Sequence, residues 1–161
     1  MATTLKTLYG TNGQTITLTI ASLASTSARA STAVDNTTNL FLDALVQLIA
    51  KTNAAGTSAT GYISIYAYGT ADGGTTYSDG ATGTDAGITL TSVPNATLIG
   101  VLNCVANATT YKSPPFSVAA AFGGQLPDHW GIIIVNSTGA ALDSTAGSHS
   151  IKYQGIQVQN V

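Results

Sequence analysis

Residues 61–69 read Gly-Tyr-Ile-Ser-Ile-Tyr-Ala-Tyr-Gly, a pattern that only an extended strand can sort. With a period of two, Ile63, Ile65 and Ala67 fall on one side and Tyr62, Tyr66 and Tyr68 on the other. The same period appears in residues 14–20, where Ile16, Leu18 and Ile20 alternate with Thr15, Thr17 and Thr19. The run Ile132-Ile133-Ile134-Val135 is apolar at every position, which predicts a strand covered on both sides, central in its sheet or covered by a neighbouring subunit. Further short strands are predicted at 88–93, 97–105, 116–122, 130–136 and 150–158, separated by Gly, Asn, Asp and Ser turn signals. That rhythm indicates a sandwich or a closed sheet. In the last strand the apolar positions run Ile151, Tyr153 and then Ile156, Val158, so a bulge is expected at Gly155 to restore one inward face.

Residues 40–52 fit two templates. Asp43, Gln47 and Lys51 recur every four residues, as on the wet face of an amphipathic helix, whereas a period of two groups Leu40, Leu42, Ala44, Val46 and Leu48. We read a strand, because the rest of the chain offers strands to pair with and no second helix to pack against. Residues 22–38, short of bulky side chains, read as an irregular connection with at most one short edge strand. Composition points the same way. The chain has no Glu, its charged residues amount to 7%, and Ser, Thr, Asn and Gly fill the polar positions, which favours strands and turns over helices. Its 161 residues suit one core. Residues 1–13 hold only Leu5, Leu8 and Tyr9 as anchors before the turn Gly10-Thr11-Asn12-Gly13. They read as an N-terminal arm on a single β-sandwich domain spanning 14–161, or equally as an edge strand of that domain.

Several function classes find no support in the residues. A net charge of -2 with only five dispersed Lys and Arg gives no footprint for nucleic acid. No run approaches the ~18 apolar residues of a membrane span, and no secretory leader opens the chain, so synthesis and assembly in a cytoplasm are expected. Cys104, inside an apolar run, reads as a buried small hydrophobe. His129 and His149 lack any zinc spacing, so no metal and no cofactor is expected. The seven Asp lie mostly in turns and no Gly-x-Ser-x-Gly elbow occurs, so no catalytic residue is assigned and the chain is expected not to be an enzyme. Thr70-Ala71-Asp72-Gly73-Gly74-Thr75-Thr76-Tyr77 resembles the Asp-box of sialidases and related β-propellers, a folding device in which the carboxylate ties down turn amides.

The phrase Pro127-Asp128-His129-Trp130-Gly131 with the run up to Leu142, the tyrosine-rich strand before Thr70, and Tyr153-Gln154-Gly155 together resemble small virion proteins of tailed bacteriophages, of the capsid decoration or cement type. The resemblance covers most of residues 39–158. It implies an all-β, jelly-roll-like antiparallel β-sandwich with an extended N-terminal arm, sitting on the capsid exterior as a homo-oligomer, a trimer among the options. The implied partners are the major capsid protein and further copies of the chain. No catalytic residues come with it. On this reading Leu5, Leu8 and Tyr9 form a clasp onto a neighbour, and Tyr62, Tyr66 and Tyr68 support oligomer contacts. Two rival readings are a ring-forming tail adaptor and a carbohydrate-binding fibre module that stacks sugars on Tyr77, Tyr111 or Trp130.

Overall fold

The computed structural model describes residues 4–90 and 94–160, and within them twelve strands form two antiparallel sheets. One sheet holds β1 (Leu5–Tyr9), β2 (Gln14–Thr15), β5 (Asp43–Lys51), β9 (Thr110–Lys112), β10 (Phe116–Ser117) and β12 (Ser150–Asn160). The other holds β3 (Ala28–Ala30), β4 (Val34–Asp35), β6 (Tyr62–Thr70), β7 (Ala86–Ile88), β8 (Thr97–Asn103) and β11 (His129–Ser137). In the first sheet β1 and β2 both lie on β12, which pairs with β5, and β5 carries β9 and β10 on its far side. In the second, β3 and β4 lie on β11, which pairs with β6 and then β8. Along the chain, β1 and β2 lie in the first sheet, β3 and β4 in the second, β5 in the first, β6, β7 and β8 in the second, β9 and β10 in the first, β11 in the second and β12 in the first, so the chain crosses repeatedly between the two layers of a β-sandwich.

The core forms where the alternating patterns of the two sheets meet. Ala44, Val46, Leu48 and Ala50 of β5 face Ile63, Ile65 and Ala67 of β6 and Trp130, Ile132 and Ile134 of β11. Trp130 meets Tyr153 edge to face at 5.2 Å, a contact between the two sheets of a kind worth about 0.5–1.5 kcal/mol beyond burial. Residues 43–51 are thus a strand, with Asp43, Leu45, Gln47, Ile49 and Lys51 on its outer side. A helix would have left β12 and the short β9 and β10 without their shared partner.

The sequence reading needs correction at four places. Of residues 14–20 only Gln14 and Thr15 join a ladder, although Ile16 and Ile20 are buried as expected. The segment crosses between the sheets: the Ile16 amide donates to Ile151 in one, and Thr17 accepts from the Thr32 amide beside the other. Asp85 fastens it there, accepting from the Thr19 amide at 3.0 Å and hydroxyl at 2.7 Å and from Arg29 Nε at 2.5 Å. Residues 116–122 are not one strand, because a single 3-10 turn over Ala119–Phe122 follows β10, held by Asp43 through Ser117 Oγ and the Ala119 amide. Residues 22–38 hold two short strands, and β3 is interior to its sheet. No bulge occurs at Gly155, since β12 keeps register with β5 from Ser150 to Ile156. Gly155 itself takes the inward position, and the Phe41 ring lies where a side chain would go. A register shift occurs instead at Ile65/Tyr66 against β8, where Ile99 is the extra residue. Residues 91–93 of the strand predicted at 88–93, and residues 1–3 of the arm, lie outside the described residues.

The outer side of β11 and β6 is covered by the chain's own residues. Between β6 and β8 the chain leaves the sheet, runs to the far edge to pair β7 with β3, and returns. Ala81, Ala96, Tyr77, Ile88 and Leu90 of this excursion close over Tyr68 and Ile133 as a second small core. The double-sided burial predicted for Ile132–Val135 therefore needs no second subunit: Ile132, Ile133 and Ile134 are all fully buried.

Candidate functional site

Tyr68 is the first residue to place, because it does not sit on the surface with Tyr62 and Tyr66. It is 1% exposed, packed edge to face on Tyr77 at 5.3 Å, and its hydroxyl donates to the Ser31 carbonyl at 2.5 Å. Burial pushes its hydroxyl pKa up to about 12. It lies flat against Gly131, where any Cβ would overlap the ring. The expectation that Tyr68 joins Tyr62 and Tyr66 in a partner contact is therefore corrected, since Tyr77, Ala81 and Ala96 already pack in one core with it. Tyr62 remains exposed opposite Asn103 of β8, and Tyr66 is partly buried opposite the exposed Leu98.

The Asp-box reading fits the local geometry. Asp72 accepts from the Thr70 hydroxyl and from the Thr75 and Thr76 amides at 3.0 Å each, while Gly73 and Gly74 take positive φ. The Thr70 hydroxyl, followed by the Thr76 amide, holds the carboxyl well below the usual carboxylate range. The loop delivers Tyr77 onto Tyr68. His129, at the start of β11, lies with Nδ1 3.6 Å from Asp128 and Nε2 3.9 Å from Asp35. Asp35 caps its own turn through the Thr37 hydroxyl and amide, and these bonds lower its pKa.

The residues proposed as sugar platforms have other employment. Trp130 is fully buried, Tyr77 packs on Tyr68, and the Tyr111 hydroxyl accepts from the Val105 and Ala106 amides at 3.1 Å and 2.8 Å. Cys104 is buried, and burial raises its thiol to about 12.

What the fold leaves open is the ribbon made by β1 and the end of β12. The ladder of β5 on β12 stops at Asp43 opposite Ile156, so residues 157–160 of β12 pair only with β1. Every residue of β1 is exposed, Leu5 at 68% and Tyr9 at 57%. Pairing sets Leu5 opposite Asn160, Thr7 opposite Val158 and Tyr9 opposite Ile156, so Leu5, Tyr9, Ile156 and Val158 share the outer face, and Leu8 lies on the other. The turn at its base is fixed by Gln154 Nε2, which donates to Gly10 O at 3.2 Å and to Asn12 Oδ1. The arm is thus an edge strand of the domain that also projects beyond the sandwich. Leu5, Leu8 and Tyr9 all lie on this exposed strand, Leu5 and Tyr9 on one face and Leu8 on the other. Ile156 and Val158 were missed as surface residues, yet the parity switch at Gly155 was their signal: apolar side chains in outward positions.

A second exposed group is the loop before β5. The Asn36 side chain clamps it, accepting from the Phe41 amide and donating to the Phe41 carbonyl, each at 2.9 Å. Held this way, Leu40 adopts φ 51 and stands 71% exposed. A left-handed backbone costs a β-carbon residue about 1–2 kcal/mol, so the clamp is what keeps Leu40 outward. The chain matches no protein-family model, no curated protein and no solved structure.

Proposed function

We propose that this chain is a structural component of a tailed-phage particle, a decoration or cement protein that binds the outside of the head and stabilises subunit junctions. The observation that carries the reading is the projecting β1–β12 ribbon. It offers apolar side chains on both faces and an open backbone edge, which a two-stranded ribbon in water does not keep to itself without cost. The neutral, hydroxyl-rich surface supports the same reading, because it lacks the charge that holds independent proteins apart. Each copy would bury modest area on the major capsid protein and on its neighbours, and many such contacts sum to resist internal pressure. Assembly takes place in the host cytoplasm. The chemistry asked of the chain is contact alone, with no bond made or broken.

The test is a cryo-electron reconstruction of the native particle. Density for the sandwich in regular copies on the outside of the head, with the ribbon reaching a neighbour, is the expected result. Density confined to the tail or a fibre tip overturns the cementing role and moves the chain to ring building or receptor binding.

A further inference from the structure

The edge of β1 that faces away from β12 is self-complementary. The Gly10 amide donates to the Gly155 carbonyl at 2.8 Å, which fixes the phase of the pairing. In an antiparallel pair the N–H and C=O of one residue point to the same side, and that side alternates along the strand. Lys6 and Leu8 therefore direct their backbone groups at β12, while Leu5, Thr7 and Tyr9 direct theirs outward. In the strand order no strand of the described residues takes up that outward row.

We propose that a second copy of this chain pairs there, β1 against β1, about a two-fold axis at Thr7. In this register Leu5 lies opposite the partner's Tyr9, Lys6 opposite the partner's Leu8, and Thr7 opposite the partner's Thr7. Every directly opposed pair of outward residues exchanges two backbone bonds, giving about six in all. The register is selected by the sequence. Moving the axis one residue back sets Lys6 opposite the partner's Lys6, a like-charge pair, and moving it one residue forward leaves Leu5 beyond the end of the pairing. The pairs at Thr7 also join Leu5, Tyr9, Ile156 and Val158 of both copies into one continuous apolar face. An isologous contact of this kind closes on itself and stops at two copies. The inference rests on reading the ribbon as the contact element of a structural protein, and it names that element's partner.

The experiment is sedimentation velocity on the purified full chain from about 1 μM to about 1 mM, with three variants alongside. The native chain is expected to reach twice its 16.2 kDa mass within this range. Thr7→Pro removes an N–H that points away from β12, so it spares the internal ladder and blocks only the dimer. It is expected to weaken association at least about 100-fold with an unchanged circular-dichroism spectrum. Opposed residues in such a pair have Cα atoms about 5.5 Å apart, within disulfide reach, so Thr7→Cys is expected to form an oxidised dimer, Cys104 being buried. Leu5→Cys and Tyr9→Cys are expected to cross-link when mixed and not singly. A native chain that stays monomeric throughout, or a dimer that Thr7→Pro leaves intact, overturns the pairing. A solution dimer combined with no head density removes the particle reading and keeps the pairing, and a solution monomer found on heads does the reverse.

Discussion

Replacing Tyr68 with Phe probes the layer that covers the second sheet. Where β3 runs out, Ser31 keeps its place against β11 in an unusual way: its amide donates to the Ile132 carbonyl at 2.8 Å, but the Ile132 amide donates to Ser31 Oγ at 3.0 Å and not to the carbonyl. The freed Ser31 carbonyl accepts the Tyr68 hydroxyl at 2.5 Å, and Ser31 is fully buried. Tyr68→Phe keeps the ring on Gly131 and Tyr77 and removes only that donor. A buried carbonyl left short of its bond costs about 1–3 kcal/mol, so a loss near 2 is expected, or about 4–8 °C in Tm for a chain of this size. Urea unfolding followed by circular dichroism at neutral pH measures it. Alkali supplies a second reading. Tyr68 has a raised folded pKa, so the stability tied to its neutral form is intact below pH 10 and is lost as pH rises toward about 12. The variant has no such group, and its deficit is expected to narrow over that window. A deficit under about 0.5 kcal/mol, or one that stays constant up to pH 12, would refute the account of Tyr68 as a buried donor.

Other perturbations test neighbouring parts. Gly131→Ala puts a methyl group where the Tyr68 ring lies and should cost about 1–3 kcal/mol by overpacking, with Tyr68→Ala in the same chain relieving part of it; thermal melts of the single and double variants measure this. Asn36→Ala frees the Phe41 amide and carbonyl and should cost roughly 2–4 kcal/mol, with hydrogen exchange rising across residues 36–42 before it rises elsewhere. Asp143 has its carboxyl lowered to about 2 by the Thr145 amide, with help from Lys51 at 3.3 Å. Its stabilisation is therefore intact above its ordinary 3.8 and lost as pH falls through about 2, and Asp143→Asn should match the native chain in acid melts below that point while falling behind it at pH 5.

Periodicity was a good guide wherever one side of a strand met the core and the other met water. β5 is such a strand, with Ala44, Val46 and Leu48 inward as read, and in β6 the inward Ile63, Ile65 and Ala67 were legible as well. It failed where hydrogen-bond partners, and not side-chain faces, decide the outcome. Residues 14–20 point Ile16 and Ile20 inward as a strand would, yet they step from one sheet to the other, and alternation carries no information about which backbone runs alongside. The cover over Ile133 was equally hidden, because Tyr77, Ala81, Ile88, Leu90 and Ala96 are spread through a turn-rich stretch with no period. Gly155 misled for an instructive reason. The parity switch was read as a bulge that would bury Ile156, whereas register is kept and Ile156 and Val158 turn outward on the ribbon. The candidate site was thus visible in the sequence as an irregularity, and the sandwich as a regularity.

The pairing of Leu5 with Asn160 joins opposite ends of the described chain, which makes the ribbon its least local element. Closing a loop of that length costs entropy before any contact repays it, so the ribbon is expected among the last parts to form. Until residues 156–160 have been synthesised and have docked on β5, Leu5–Tyr9 has no ladder to fix which of its backbone groups face outward. A nascent or half-folded chain therefore presents no ordered edge for another copy to read. The topology puts folding ahead of association, a timing control that comes from the order of strands alone.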